Sequence, residues 1–223
     1  MEQIHEVGTK IDGRLPVLYS AYFGPIEYYG VMMKHGGAVI DTGERYEKRS
    51  YRNRCGIVGA NGEMTLTVPI ARESSEDRDL THAQMKSLRI SYDTQWRHLH
   101  WQSLVSAYNM SPYFEYYEDD FRELYGRKYE MLTQLNDEAL ALTLRLLQMD
   151  DIRIERSETY IKTERDLRKE ITPKIHTEEY REREYYQVFN EKYGFIGSQS
   201  ILDLLFNMGP ESRIILRDSM RQG

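Results

Sequence analysis

The sequence has a single cysteine, Cys55, so a disulfide framework within one chain is excluded and a reducing compartment is the simplest expectation. No apolar run approaches the roughly 20 residues of a membrane-spanning helix, and the opening MEQIHEVGTKIDGRLP shows no apolar signal segment. Lys and Arg number 30 against 36 Asp and Glu, so the formal charge of −6 gives no general attraction to polyanions. We therefore expect a cytoplasmic protein that neither inserts into membranes nor binds nucleic acid.

Several common chemical motifs are also missing. The chain has no GxGxxG pattern, no Walker loop and no GxSxG nucleophile elbow. The adjacent pairs Asp119-Asp120 and Asp150-Asp151 point in different directions on a helix, so neither makes a metal clasp. We predict no metal site, and the cofactor stays unknown.

Tyrosine is the unusual count among the residues present, with 18 tyrosines against 6 phenylalanines. Tyrosine supplies apolar area with a polar tip, which suits a wet cleft or a protein interface. The chain has 223 residues, 40% hydrophobic and 30% charged, as in a globular protein. We expect a flexible N-terminus over residues 1–15 and a single α/β domain over residues 16–217.

The front of the domain has the pattern of a strand, a helix and a second strand. Residues 17–19 are apolar, as in a short buried strand. Apolar residues then recur at helical spacing over 26–35, and Gly36-Gly37 follows as a stop. Residues 38–41 form the second strand, and a crossover this short favours parallel pairing.

A hairpin is predicted next. Residues 51–58 and 64–70 are rich in strand-forming residues and flank a turn that contains Asn61-Gly62, a strong hairpin signal. Two further strands are predicted over 85–90 and 152–155.

Helices are predicted over most of the remaining chain, separated by a charged loop at residues 157–177. The predicted helices cover 95–109, 118–134, a segment capped by Asn136, 178–192 and 201–207. The predicted fold class is therefore α/β: a small mixed sheet with a short parallel βαβ start, a β-hairpin and a helical C-terminal half.

Three arginines and an amide lie within six consecutive residues in the sequence RSYRNR. Strand alternation would place Arg52 and Arg54 on one face and Asn53 on the other. A guanidinium fork beside an amide can hold a carboxylate or a phosphate, so all three residues are candidate substrate-binding residues. The alternative is an ordinary strand edge whose arginines pair with Glu44 and Glu47.

His100 is the candidate catalytic residue. It lies one helical turn after Trp96 and one before Leu104, so it shares their inward face. His98 lies on the opposite side, so the two histidines cannot hold one metal ion. An imidazole titrates near neutrality and could act as a general base. The alternative is a buried histidine that bonds to a backbone carbonyl.

Three further side chains are candidate substrate-binding residues. Tyr108 opens an aromatic-rich stretch that could stack a sugar ring, or could form a packed elbow between two helices. Tyr22 follows the first predicted strand and Asp41 ends the second. Ligands of open α/β sheets bind beyond the carboxyl ends of parallel strands, so Tyr22 and Asp41 are predicted on the side of the arginine segment.

Taken in order and spacing, these segments resemble the WbqC-like protein family over residues 17–212. The matching pieces are 22–29, 51–54, 100–101, 107–108, 111–114, 195–196 and 200–210. The sequence departs from many longer members at Ser20-Ala21, where those have Gln-Pro, and in residues 157–177, which are short and charged. The resemblance carries over to Asn53, Arg54, His100 and Tyr108.

This resemblance implies a bacterial protein linked to surface-polysaccharide assembly of the O-antigen type. The expected reaction is acyl or aminoacyl transfer onto an amino sugar or a related activated substrate. In this hypothesis Arg54, with Arg52 or Lys48, holds an anionic small molecule. Asn53 orients a carbonyl or hydroxyl group, and His100 accepts a proton. The rival hypothesis is a non-catalytic binding or assembly protein that uses a tyrosine-rich surface.

Overall fold

The computed structural model describes residues 13–72 and 79–221. Most of the segment predicted as a flexible N-terminus, residues 1–15, lies outside this described part, and Leu15 at its end is buried. The buried apolar side chains of the described residues form one large cluster and one small one beside the first strand.

The strand, helix and strand predicted at the front of the domain are confirmed. They are β1 (Val17–Tyr19), α1 (Ile26–His35) and β2 (Gly37–Asp41). Gly36 ends α1 with a φ of 68°, in the left-handed region that glycine enters without a Cβ clash. The chain can therefore turn at once from the helix into β2.

The main sheet has three parallel strands in the order β1-β2-β5, where β5 is Arg153–Ser157. Val17 lies opposite Val39, and Ala38 lies opposite Ile154. All of β2 is buried because it has a neighbour on both sides. The parallel pairing predicted for the first two strands is confirmed, and the strand predicted at 152–155 is β5.

The predicted hairpin is also present, with shorter strands. It consists of β3 (Arg54–Gly59) and β4 (Gly62–Thr67), paired antiparallel with Gly59 opposite Gly62. Gly62 has a φ of 98°, so glycine is needed where β4 leaves the turn.

The C-terminal half is helical, as predicted, although its bounds differ from the prediction. The helices are α2 (Trp96–Tyr108), α3 (Phe114–Gly126), α4 (Leu132–Leu146), α5 (Asn190–Tyr193), α6 (Ile201–Met208) and α7 (Ser212–Asp218). Short 3-10 helices lie at Leu80–His82, Met85–Ser87 and Gly209–Glu211. Across the described ranges, no helix combines the length and apolar character that crossing a bilayer requires.

Three local predictions are wrong. The strand expected over 85–90 is a 3-10 helix followed by isolated bridges. The helix expected over 118–134 is α3, which begins and ends earlier. Asn136 lies inside α4, which begins at Leu132, rather than capping it. Its Nδ2 donates to Ser20 Oγ at 3.1 Å and to the Arg52 carbonyl at 2.9 Å. Asn136 therefore links α4 to the segment after β1 and to the turn before β3.

The helix predicted over 178–192 is also wrong, since only α5 is helical there. Tyr180, Tyr185 and Gln187 are all buried, although they would not share one face of a helix. Tyr180 pairs with Met220 in an isolated bridge. Contacts with the C-terminal helices therefore override the helix-forming composition of this segment.

Candidate functional site

A cavity of about 650 Å³ opens beyond the carboxyl end of β2, where parallel sheets commonly bind ligands. Its walls come from the segment after β2, the first 3-10 helix region and the loop after β5. The lining residues are Gly43, Glu44, Arg45, Glu47, Arg52, His82, Gln84, Tyr160, Asp166, Arg168 and Lys169. We call this space the sheet-edge cavity.

Arg52 forms one wall of the sheet-edge cavity, with 2% of its side chain exposed. Its Nε and Nη2 donate to the two carboxylate oxygens of Glu44 at 2.8 and 2.7 Å, and its Nη1 donates to Glu47 at 3.2 Å. The guanidinium carbon lies 4.6 Å from the centre of the Tyr19 ring. Arg52 therefore pairs with Glu44 and Glu47, as in the alternative given for the arginine segment.

Arg168 is the second buried arginine of the cavity wall. Its Nη1 donates to Asp41 at the end of β2, and its Nε donates to Asp166 at 2.8 Å. The guanidinium carbon lies 4.1 Å from the centre of the Tyr160 ring. Arg168 and Asp41 are 127 residues apart in the sequence, so this contact ties the loop after β5 to the sheet.

Gly43 brings the two loops into main-chain contact. A Cβ at this position would lie 2.5 Å from the carbonyl carbon of Thr159 and 2.6 Å from the nitrogen of Tyr160. Asp41 holds the same junction, because its carboxylate accepts the N–H groups of Gly43 at 2.8 Å and Ile161 at 3.0 Å. These contacts give the sheet-edge cavity a fixed frame.

Two of the lining cations form no ion pair with a carboxylate of the described residues. Within the described part of the chain, Arg45 and Lys169 make no side-chain hydrogen bond or ion pair, whereas Arg52 and Arg168 are both neutralised. An anionic group in the cavity would therefore find two cations available to it. Among the described residues, no cluster of His, Cys, Asp and Glu could hold a metal ion.

Burial and ionic partners act in opposite directions on the pKa of the two buried carboxyls of the frame. Burial raises the pKa of Asp41, and the Ile161 N–H and the Arg168 guanidinium oppose that rise. Burial likewise raises the pKa of Glu44 above its ordinary value of 4.5, against the bidentate bond from Arg52. The frame therefore depends on its two arginines for charge balance.

Arg52 lines the sheet-edge cavity, but Arg54 does not. Arg54 lines a second cavity of about 260 Å³, together with Tyr51 and Ser198, and we call this the hairpin cavity. The predicted alternation fails because β3 begins only at Arg54, so residues 51–53 form a turn. The Nε of Arg54 is buried without a hydrogen-bond partner in the described part of the chain.

Asn53 is buried, and its side chain forms hydrogen bonds within the fold. Its Oδ1 accepts a hydrogen bond from the Tyr46 hydroxyl at 3.0 Å, and its Nδ2 donates to the Val68 carbonyl at 2.9 Å. Asn53 lines neither of the two cavities. The substrate-orienting role expected of it stays a prediction, and its contacts fit a link between the turn and the hairpin.

His100 is buried among aromatic rings, with 5% of the residue exposed. Its Nδ1 lies 3.0 Å from the hydroxyl of Tyr22, which lies 2.5 Å from the hydroxyl of Tyr125. Burial lowers the pKa of His100 to about 4, and a hydrogen bond with the backbone of Thr67 only partly opposes this. His100 and Tyr22 line neither cavity, although the Thr67 backbone that bonds to His100 pairs with Arg54 across the hairpin. Their catalytic and binding roles stay predictions.

Tyr108 belongs to a buried hydrogen-bond network around Asp203. Its hydroxyl donates to Asp203 Oδ1 at 2.7 Å, while Tyr185 and Gln187 donate to Oδ2 at 2.6 and 2.7 Å. Burial raises the pKa of Asp203, and these donors oppose that rise. The Tyr108 ring packs 5.0 Å from that of Phe206, so its surroundings fit the packed-elbow alternative.

The model of the WbqC-like protein family matches residues 20–183, well over half of the chain. This chain belongs to the WbqC-like protein family. The matched residues of this WbqC-like protein include 22–29, 51–54 and 100–114, whereas the C-terminal pieces at 195–210 lie beyond them. Comparison with curated proteins and with solved structures found no match.

Sequence reasoning missed several residues that shape the sheet-edge cavity of this WbqC-like protein. Arg168, Asp166 and Tyr160 lie in the charged loop 157–177, which has no periodicity. The one indication in the sequence is Asp41 at the end of a buried strand. A buried carboxylate requires a partner, but its position does not say which residue that partner is.

Proposed function

We propose that this WbqC-like protein is a transferase that binds an activated, anionic small molecule in the sheet-edge cavity. The observation that carries the proposal is the pair of available cations, Arg45 and Lys169, beside a frame in which Arg52 and Arg168 are neutralised. Cations on a rigid frame at the carboxyl edge of a parallel sheet suit a diphosphate or a carboxylate.

The family resemblance supports surface-polysaccharide assembly of the O-antigen type as the setting, with acyl or aminoacyl transfer onto an amino sugar. A nucleotide sugar or an acyl donor would supply the anionic group. Arg52 and Asp41 act in this proposal as parts of the frame, and Arg45 and Lys169 contact the ligand. A cytoplasmic location belongs to the same proposal, because Cys55 is a free, buried thiol.

Ligand-induced stabilisation tests the proposal directly. The protein would be melted with nucleotide sugars, acyl-coenzyme A thioesters and ATP, one at a time. A ligand at one hundred times its Kd stabilises by about 2.7 kcal/mol, which raises the Tm of a protein of this size by roughly 5–10 °C.

Charge-removing variants locate the binding site. Arg45→Ala and Lys169→Ala should each weaken binding roughly 10-fold, because each loses a charge-assisted contact. Lys48→Ala is the matched control, since Lys48 is exposed, pairs with Asp79 and does not line the cavity. Unchanged affinity in both cavity variants would contradict the proposed site.

The rival hypothesis of a tyrosine-rich contact surface has less support. Most of the tyrosines that it would need are buried in the core. The two most exposed tyrosines are far apart in the sequence, since Tyr116 is in α3 and Tyr186 lies between β5 and α5. If none of the three ligand classes stabilises the protein, the transferase proposal fails.

A further inference from the structure

A serine, a histidine and a glutamate from distant parts of the chain form a hydrogen-bonded line beside the hairpin cavity. Ser198 Oγ lies 3.2 Å from His176 Nε2, and His176 Nδ1 lies 2.6 Å from Glu27 Oε2. Glu27 is in the first turn of α1, His176 is in the loop region after β5, and Ser198 precedes α6. The sheet-edge cavity uses none of these residues.

Glu27 is placed to orient the imidazole. It is 1% exposed, and its Oε1 accepts the Thr177 N–H at 2.6 Å. Because an ionised carboxylate only accepts hydrogen bonds, its contact with Nδ1 places the proton of a neutral His176 on that nitrogen. Nε2 is then the acceptor that faces the hydroxyl of Ser198.

Ser198 has the backbone strain typical of nucleophile turns. Its φ is 58°, in the left-handed region that non-glycine residues rarely adopt. Ser198 lines the hairpin cavity with Arg54, whose buried Nε lacks a partner in the described part of the chain. The His176 side chain is 38% exposed, so a substrate in solution can reach this site.

We propose that Ser198, His176 and Glu27 form a second site that transfers or hydrolyses short acyl groups carried as esters or thioesters. Ser198 Oγ attacks the acyl carbonyl carbon, and its proton passes to His176 Nε2. The bond from that carbon to the leaving oxygen or sulfur breaks, and the leaving group takes the proton from Nε2. Arg54 faces the developing negative charge.

The acyl group then leaves by the reverse sequence. A water molecule or an amine attacks the acyl-serine and gives a proton to Nε2, and Oγ recovers that proton as its bond to the acyl carbon breaks. The net reaction is hydrolysis or acyl transfer and needs no other reactant. A cavity of about 260 Å³ favours a short acyl chain over a long one. The sequence could not reveal this site, because it lacks a GxSxG elbow and Glu27 and His176 are 149 residues apart.

Glu182 is a competitor at this serine. Its Oε1 accepts the Ser198 N–H and lies 3.4 Å from Ser198 Oγ. A bound acyl oxygen would have to displace this carboxylate from the serine. Removing the carboxylate should therefore make the serine more reactive.

The experiment uses a fluorophosphonate, which forms a bond from serine oxygen to phosphorus with loss of fluoride, and p-nitrophenyl acetate as a short acyl ester. Peptide mass spectrometry locates the adduct, and p-nitrophenol release measures turnover. The full-length protein and its Glu182→Ala variant should both carry the adduct on Ser198, and the variant should react at least 3-fold faster.

Further variants separate catalysis from folding. Ser198→Ala should abolish the adduct, and His176→Ala and Glu27→Gln should slow labelling 100-fold or more. Ser50→Ala is the matched control, because Ser50 also lines the hairpin cavity but bonds to the Glu47 carbonyl instead of a histidine. Circular dichroism would show that each variant is folded.

Several results would overturn this site. These are an adduct on a residue other than Ser198, an equal labelling rate in folded His176→Ala, or no adduct in either the wild-type protein or Glu182→Ala. None of them bears on the sheet-edge cavity, because the variants that test it, at Arg45 and Lys169, are elsewhere.

Discussion

Replacing Arg52 with methionine tests how much the buried Arg52–Glu44 ion pair contributes to the stability of the protein. The change keeps most of the apolar stem and leaves Glu44, whose side chain is 6% exposed, without either of its guanidinium bonds at 2.8 and 2.7 Å. Removing one partner of a buried ion pair costs about 3–5 kcal/mol, because a buried charge is left uncompensated. We therefore expect the free energy of unfolding of Arg52→Met to fall by that amount in urea titrations at pH 7.

Two comparisons separate the buried charge from lost packing. The double variant Arg52→Met/Glu44→Gln should recover more than half of the loss, since it no longer contains an unpaired carboxylate. Lys48→Met is the control for losing an exposed ion pair, and it should change stability by about 0–1 kcal/mol. A loss below about 1 kcal/mol in Arg52→Met, or a double variant no more stable than the single one, would refute this reasoning.

The pH dependence of the same variant gives an independent check. Without Arg52, the pKa of Glu44 in the folded protein rises further above its ordinary value of 4.5. The folded state then binds more protons than the unfolded state, so stability falls as pH rises. The deficit of Arg52→Met should be smallest below pH 4.5 and grow above it.

Two other buried polar groups allow similar tests. The pKa of His100 is lowered from 6.5 to about 4, so the unfolded state binds more protons and stability should fall by up to roughly 3 kcal/mol as pH drops through this range. His100→Phe should lose this pH dependence of stability in urea titrations. If His100→Phe instead loses turnover while its stability is unchanged, the general-base hypothesis is supported. Asp203→Ala leaves three donors unpaired and should cost about 3 kcal/mol or more in thermal unfolding, with a smaller loss for Asp203→Asn. Equal losses in the two Asp203 variants would contradict the network argument.

The parts of the fold that could be predicted are those set by local patterns. The helix over 26–35 follows from apolar spacing and the glycine stop, and the hairpin follows from strand-forming runs around Asn61-Gly62. Predictions failed where a side chain forms hydrogen bonds with residues that are distant in the sequence. Asn136 has the chemistry of a helix cap, yet it bonds to Ser20 and to the Arg52 carbonyl instead.

The candidate site was predictable only in part, for a related reason. The carboxyl edge of the parallel strands and the position of Asp41 follow from the βαβ pattern. Arg168 comes from a loop without periodicity, and no local signal indicates its contact with Asp41 across 127 residues. Alternation also misplaced Arg52, because the residues before β3 form a turn rather than a strand.

The pairing of β2 with β5 has a consequence for biosynthesis. β2 is buried along its whole length, and among the described residues its second hydrogen-bonding edge pairs with residues 153–157 alone. A nascent chain that ends before this point exposes an open, apolar strand edge, which promotes association with other chains. Folding of the sheet must therefore wait for late translation, and fragments truncated before residue 153 should aggregate instead of forming a smaller stable unit.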